Sequence, residues 1–153
     1  MQAVKTDRKI KLNKKYQPFA TDADEIYING FFHFNISQII KDIDSKKLLV
    51  QSEKINLKNW LKEHSLEFSV IDKEHLKTVD TNKPILQAEI RINKYEIIDG
   101  NHRIQKAFDE GLKYINSYKL QGEQLFPYFM EKQQYEAYVK YWNEKLLDYK
   151  DKN

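Results

Sequence analysis

Tyr95-Glu96-Ile97-Ile98-Asp99-Gly100-Asn101-His102-Arg103-Ile104-Gln105-Lys106 is the stretch on which the reading of this chain turns. A short apolar run, Glu96-Ile97-Ile98, leads into Asp99-Gly100, and a segment of helical period, Ile104 to Leu112, follows at once. The spacing predicts a strand, a tight turn and a helix, with Asp99 to Arg103 at the junction. The first N–H groups of a helix lack intrahelical partners and the dipole is positive there, so such a junction favours an anion, a phosphate above all. Gly100 lets the backbone turn and approach closely, while His102 and Arg103 add donors that a phosphate accepts.

On the N-terminal side, Leu86, Ala88, Ile90 and Ile92 alternate with Gln87, Glu89 and Arg91, which predicts a strand after Pro84 with the first set on one face and the second on the other. Asn93-Lys94 then turns the chain into the strand that reaches Asp99. On the C-terminal side, Ile104, Ala107, Phe108 and Leu112 predict an inward helical stripe, Gly111 ends the helix, and Tyr114 to Leu120 returns as a strand.

Further upstream, Ile26-Tyr27-Ile28 and Phe31-Phe32-His33-Phe34 flank Asn29-Gly30, a strong hairpin signal, with His33 a candidate pocket residue whose plainer reading is a partly exposed strand histidine. Ser37 is the expected cap of a helix with Ile36, Ile39, Ile40 and Ile43 inward. Leu48-Leu49-Val50 reads as a brief strand, and Asn56 as the cap of a helix through Leu57, Trp60 and Leu61. Neither period explains residues 66–79. After Gly122, Leu125, Phe126, Phe129 and Met130, then Tyr135, Tyr138, Val139, Trp142, Leu146 and Tyr149, predict a long amphipathic C-terminal helix broken from its predecessor near Pro127. Its aromatic face suits stacking on bases or a partner groove, but packing is the plainer reading.

The 153 residues suffice for one ordinary core. Absence of cysteine excludes disulfide staples, cysteine-ligated zinc and thiol catalysis. No apolar run approaches the roughly 18 to 20 residues of a membrane helix, and no signal peptide is visible, so no membrane partner and a cytoplasmic location are expected. The net charge of +3 is uneven: Lys5, Arg8, Lys9, Lys11, Lys14 and Lys15 face only Asp7 in the first fifteen residues. That predicts an arm over 1–24 contributing little to the core; nucleic acid is a conceivable but disfavoured partner for it. The fold class expected is α+β, a small mixed sheet with flanking helices over 25–122 and a helical extension over 123–153 packed on it.

Pro84-Ile85-Leu86, Glu96-Ile97-Ile98-Asp99-Gly100-Asn101-His102-Arg103, Lys106-Ala107, Glu110-Gly111-Leu112 and Ile115 together resemble the ParB N-terminal/sulfiredoxin-like superfamily over about 40 residues. The resemblance implies a single ParB/sulfiredoxin-like domain with nucleotide phosphates at the turn, since sulfiredoxins and related serine kinases use ATP and ParB uses CTP. Sulfiredoxin carries its catalytic cysteine where this chain has Asn101, which removes sulfinic acid reduction. ParB continues into a helix-turn-helix region for which only one aromatic helix remains here. The turn is most similar to that of ATP-dependent free-serine kinases, which share the Asp-Gly-x-His-Arg pattern and also need an acid from the N-terminal part; Asp42, Asp44 and Glu53 are candidates.

Taken as a phosphotransferase site, Gly100 and the N–H groups of Asn101, His102 and Arg103 cradle phosphates, and Lys106 reaches a terminal one. Asp99 and His102 are the catalytic candidates, with Asp99 holding Mg²⁺ or orienting an acceptor hydroxyl. The cofactors expected are ATP or another nucleoside triphosphate, with Mg²⁺; the acceptor is a small molecule or a protein. Two other classes stand beside this one: a nucleotide-sensing or partner-binding module without turnover, and a ParB-like DNA-associated protein or nuclease.

Overall fold

A computed structural model describes residues 8–30, 32–63 and 80–152, the last three by backbone alone. Lys5 and Asp7 of the expected arm, Phe31 of the hairpin and the stretch 66–79 lie outside the described residues. In chain order the elements are β1 (Ile26–Asn29), β2 (Phe32–Asn35), α1 (Ile36–Asp44), β3 (Gln51–Asn56), α2 (Leu57–Glu63), β4 (Ile85–Arg91) and β5 (Lys94–Asp99). There follow α3 (Asn101–Asp109), β6 (Tyr114–Leu120), α4 (Gly122–Leu125), a 3-10 turn (Phe126–Tyr128) and α5 (Lys132–Lys152). The class is α+β, as expected, with a two-stranded sheet β1-β2 and a mixed four-stranded sheet in the order β3-β6-β4-β5.

Packing divides the chain into two compact units. The first comprises the described residues of Met1–Val50, Ala88–Glu96 and Leu120–Asn153, and the second those of Gln51–Gln87 and Ile97–Lys119.

The first unit is aromatic. The predicted hairpin is present: it pairs Ile26 with Asn35 and Asn29 with Phe32, so Asn29 closes the first strand and the chain turns after it. Phe34, fully buried, meets Phe129 edge-on at 4.7 Å between centroids, and Phe126 meets Trp142 in the same way at 5.5 Å. The aromatic stripe of α5 is thus a packing face: Tyr135, Tyr138, Trp142 and Leu146 are all buried. The cap of α1 is Asn35 rather than Ser37; its side chain accepts from the Gln38 N–H at 3.0 Å, while Ser37 Oγ accepts from Glu25 N–H instead. Both have a capping side chain, but the helix begins two residues earlier than a Ser37 cap would set, at Ile36, the first residue of its apolar period.

Residues 8–16, expected to contribute little, are built into this unit. Tyr16 is buried, stacks on Tyr135 at 3.9 Å and donates its hydroxyl to the Phe129 carbonyl. Arg8 donates to both Glu89 and Glu123. The reason is Glu89, on the face of β4 opposite Leu86, Ala88 and Ile90. It is fully buried, and a buried carboxylate requires a counter-charge and hydrogen bonds. Arg8 supplies the charge, and the Asn93 and Gly122 N–H groups donate at 2.7 and 3.1 Å.

The second unit has an aliphatic core of Ile55, Leu57, Ile85, Ile104, Ala107 and Ile115, with Trp60 and Ile97 against it. β3 lies antiparallel to β6, pairing Gln51 with Lys119 and Ile55 with Ile115. It begins after the predicted Leu48-Leu49-Val50, and Leu49 is 77% exposed. The polar strand Gln-Ser-Glu-Lys-Ile-Asn forms through its backbone ladder and buries only Ile55, a pattern that hydropathy misses. Asn56 caps α2 as expected, accepting from the Asn59 N–H at 3.1 Å. Of the stripe predicted for α3, Ile104 and Ala107 are buried, whereas Phe108 and Leu112 are 54% and 43% exposed.

Candidate functional site

The sequence from Ile85 to Arg103 shapes the turn. Ile98 is buried and brings β5 to its end at Asp99. Gly100 then takes φ 112°, ψ 15°, a left-handed conformation that a side chain strains. A Cβ there would lie 2.5 Å from Ile85 Cγ2 and 3.2 Å from Ile85 Cα, so the turn also rests directly on the first residue of β4. Ile85 is itself fully buried, which makes this contact part of the core.

Gly100 is the N-cap of α3 and has no side chain to cap it; the first helical bond runs from the Ile104 N–H to the Gly100 carbonyl at 3.1 Å. Asn101 and His102 are exposed at the head of the helix. Arg103 is held: Nη1 donates to the Pro84 carbonyl at 2.8 Å and Nη2 to Asp99 Oδ2 at 3.3 Å, each side chain of that pair being 19% exposed. The guanidinium therefore ties the start of β4 to the end of β5. A partly exposed pair of this kind contributes about 0–1 kcal/mol, so it fixes geometry more than stability. Lys106 lies 3.9 Å from Glu110, one turn further on.

Asp99, Gly100, Asn101, His102, Arg103 and Lys106 are thus brought onto one turn and the helix it starts. Such an arrangement presents helix-dipole potential, backbone donors and an oriented guanidinium to an anion. Among the described residues there is no group of three or more His, Asp or Glu side chains able to hold a metal ion, and Asp99 is the one acidic residue from Asp99 to Lys106.

Of the three candidate acids, Glu53 belongs to the unit that carries the turn. Its Oε1 accepts from Gln87 Nε2 at 3.0 Å, the same nitrogen donates to Ser117 Oγ at 2.9 Å, and Lys119 Nζ lies 3.7 Å from Oε2. Gln87 and Ser117 are both buried. The signal available was chemical: an amide flanked by Ile85-Leu86 and Ala88.

Asp42 and Asp44 belong to the first unit. Asp42 accepts from the Tyr128 hydroxyl at 2.7 Å, and burial, reinforced by that carboxylate, pushes the Tyr128 phenol above its ordinary ionisation range. Asp44 lines an open depression with Ser37, Ile40, Lys41 and Ser45. His33 is partly buried and lies 3.5 Å from Glu131, as befits a strand histidine. No helix among the described residues is long and apolar enough to cross a membrane.

Comparison of the chain with protein-family models, curated proteins and solved structures found no significant match.

Proposed function

We propose that the Asp99–Arg103 turn binds the phosphates of a nucleoside triphosphate and that the protein is an ATP-dependent phosphotransferase acting on a small molecule or a protein. The observation that carries this reading is Gly100 at φ 112°, pressed on Ile85 at the head of a helix that no side chain caps, with Arg103 anchored beside it. The resemblance of the turn to ParB-like and sulfiredoxin-like proteins supplies the nucleotide.

In this reading the backbone N–H groups of Asn101 to Arg103 cradle the phosphates, His102 and Lys106 add donors, and Asp99 holds Mg²⁺ or orients the acceptor hydroxyl. The γ-phosphoryl group passes to that hydroxyl, ADP leaves, and the hydroxyl proton goes to Asp99, since Glu53 stands on β3, at the opposite edge of the sheet from the strand that ends in the turn. The engagement of Asp99 by Arg103 favours a second reading, a nucleotide-sensing module without turnover. The DNA-associated reading rested on the basic N-terminal residues, and Arg8 is already neutralised there by two carboxylates.

The test is a thermal-shift series with ATP, CTP and GTP at millimolar concentration with Mg²⁺, on the wild type and on Arg103→Ala. A nucleotide at a hundredfold excess over its Kd stabilises the native state by about 2.7 kcal/mol. The expected result is an upward shift that the variant loses. Absence of a shift with all three nucleotides overturns the proposal, and a shift without phosphate transfer selects the sensing reading.

A further inference from the structure

The first unit contains a cavity of about 310 Å³ between the β4–β5 turn and α5, with no role in the nucleotide reading. The turn contributes Arg91, Ile92 and Lys94; the helix contributes Tyr141, Trp142, Lys145 and Tyr149. Trp142, Lys145 and Tyr149 recur at intervals of three and four, so they share one helical face.

Charge and ring chemistry converge on this cavity. Neither Arg91 nor Lys94 takes part in an ion pair with any described residue. Lys145 is shared between Asp148 at 3.7 Å and the face of the Tyr141 ring at 5.6 Å. One carboxylate thus stands against three cations, and an excess of positive charge remains at the cavity.

The aromatic wall is fixed. The Trp142 indole N–H donates to the Arg8 carbonyl at 3.3 Å, and the Arg8 guanidinium lies 5.3 Å over its ring. Tyr141 stacks on Tyr138 at 5.6 Å, and the buried Tyr138 hydroxyl has no hydrogen-bond partner. A wall of held rings beside unpaired cations matches a ligand with a flat apolar body and an anionic end. Ligand cavities run from about 300 to 1,000 Å³, so this one takes a single ring.

We propose that the cavity binds a small aromatic anion, one planar ring bearing a phosphate or a carboxylate. The ring lies against Tyr141 and Tyr149, the anionic group is met by Arg91 and Lys94, and the fully buried Trp142 stands behind this lining. The proposal is independent of the nucleotide reading, because none of these residues belongs to the Asp99–Arg103 turn.

The chain has two tryptophans, Trp60 and Trp142, so Trp60→Phe leaves Trp142 as the sole indole reporter. Phenyl phosphate and benzoate are titrated against its fluorescence, with inorganic phosphate and benzyl alcohol as the two halves of the ligand. Calorimetry on the unmodified chain gives the same comparison should Trp60→Phe fail to fold. At least one aromatic anion is expected to bind about tenfold more tightly than either half, a difference of about 1.4 kcal/mol.

Arg91→Gln and Lys94→Gln are each expected to weaken binding by about fivefold, and Tyr141→Ala to erase the preference over inorganic phosphate. The proposal is overturned if neither anion binds by about 10 mM, if inorganic phosphate binds equally well, or if Arg91→Gln and Lys94→Gln leave the affinity intact.

Discussion

Arg8 and Glu89 are 81 positions apart in sequence and form a two-pronged ion pair in which the carboxylate is fully buried and the arginine side chain partly so. Burial lowers and the two carboxylates raise the ionisation range of Arg8, and the carboxylates win, with Glu123 the largest influence. The pair explains how residues 8–15 are seated on the first unit.

Arg8→Met should therefore be costly, because it leaves Glu89 buried with backbone donors but no counter-charge. Removing one partner of a buried pair typically costs about 3–5 kcal/mol, whereas Glu123→Ala, on a side chain 31% exposed, should cost about 1 kcal/mol or less. Urea unfolding of both variants checks this, and a cost for Arg8→Met no greater than that for Glu123→Ala would show that the N-terminal segment is not seated.

Gly100→Ala tests the geometry of the turn. It combines a side chain at φ 112°, worth about 1–3 kcal/mol of strain, with a collision against Ile85 that adds about 1–3 kcal/mol. Gly111→Ala, at φ 75° with nothing within 4 Å of the added carbon, carries the strain alone. Thermal unfolding should rank Gly100→Ala clearly below Gly111→Ala; equal losses would mean that the contact with Ile85 is absent.

The strand–turn–helix unit was legible because three local signals agree there: an apolar run, an Asp-Gly turn and a helical period. The hairpin at Asn29-Gly30, the Asn56 cap and the break near Pro127 were legible for the same reason. What escaped is non-local. Glu89 and Gln87 alternate with apolar residues as outward side chains do, and only partners far along the chain, Arg8, Glu53 and Ser117, reveal that they are buried. β3 escaped because its stability comes from pairing with β6 rather than from its own side chains. At the candidate site the residue types were readable, while the anchoring of Arg103 on the Pro84 carbonyl was not, since a backbone acceptor has no sequence signature.

Acid stability should depend on Asp24. The Asn35 amide, first, and then Thr21 donate hydrogen bonds that hold its carboxyl well below the usual carboxylate range. A depressed native pKa contributes stability that is fully present above the unfolded value of about 3.9 and is lost as pH falls toward the native value. The Tm gap between wild type and Asp24→Asn should therefore be constant above about pH 5 and shrink steadily below pH 4. A gap that stays unchanged down to pH 2 would contradict this. Because Asn35 also caps α1, Asn35→Ala should lower Tm across the whole range, by more than Ser37→Ala does.

Arg103→Lys separates charge from geometry at the candidate site. The guanidinium reaches the Pro84 carbonyl with one nitrogen and Asp99 with another, which fixes its plane and leaves its remaining N–H groups for a phosphate. An ammonium keeps the charge but is a single point on a flexible stem, and it cannot span both acceptors while presenting a fork. If the turn binds a nucleotide through an oriented Arg103, the lysine variant should lose about tenfold in affinity, or 1.4 kcal/mol, with little change in the stability of the unliganded protein, because the native pair is partly exposed. Calorimetric titration of the nucleotide that gives the largest thermal shift measures the first quantity, and urea unfolding the second. Full affinity in Arg103→Lys alongside a loss in Arg103→Ala would reduce the role of this residue to its charge alone.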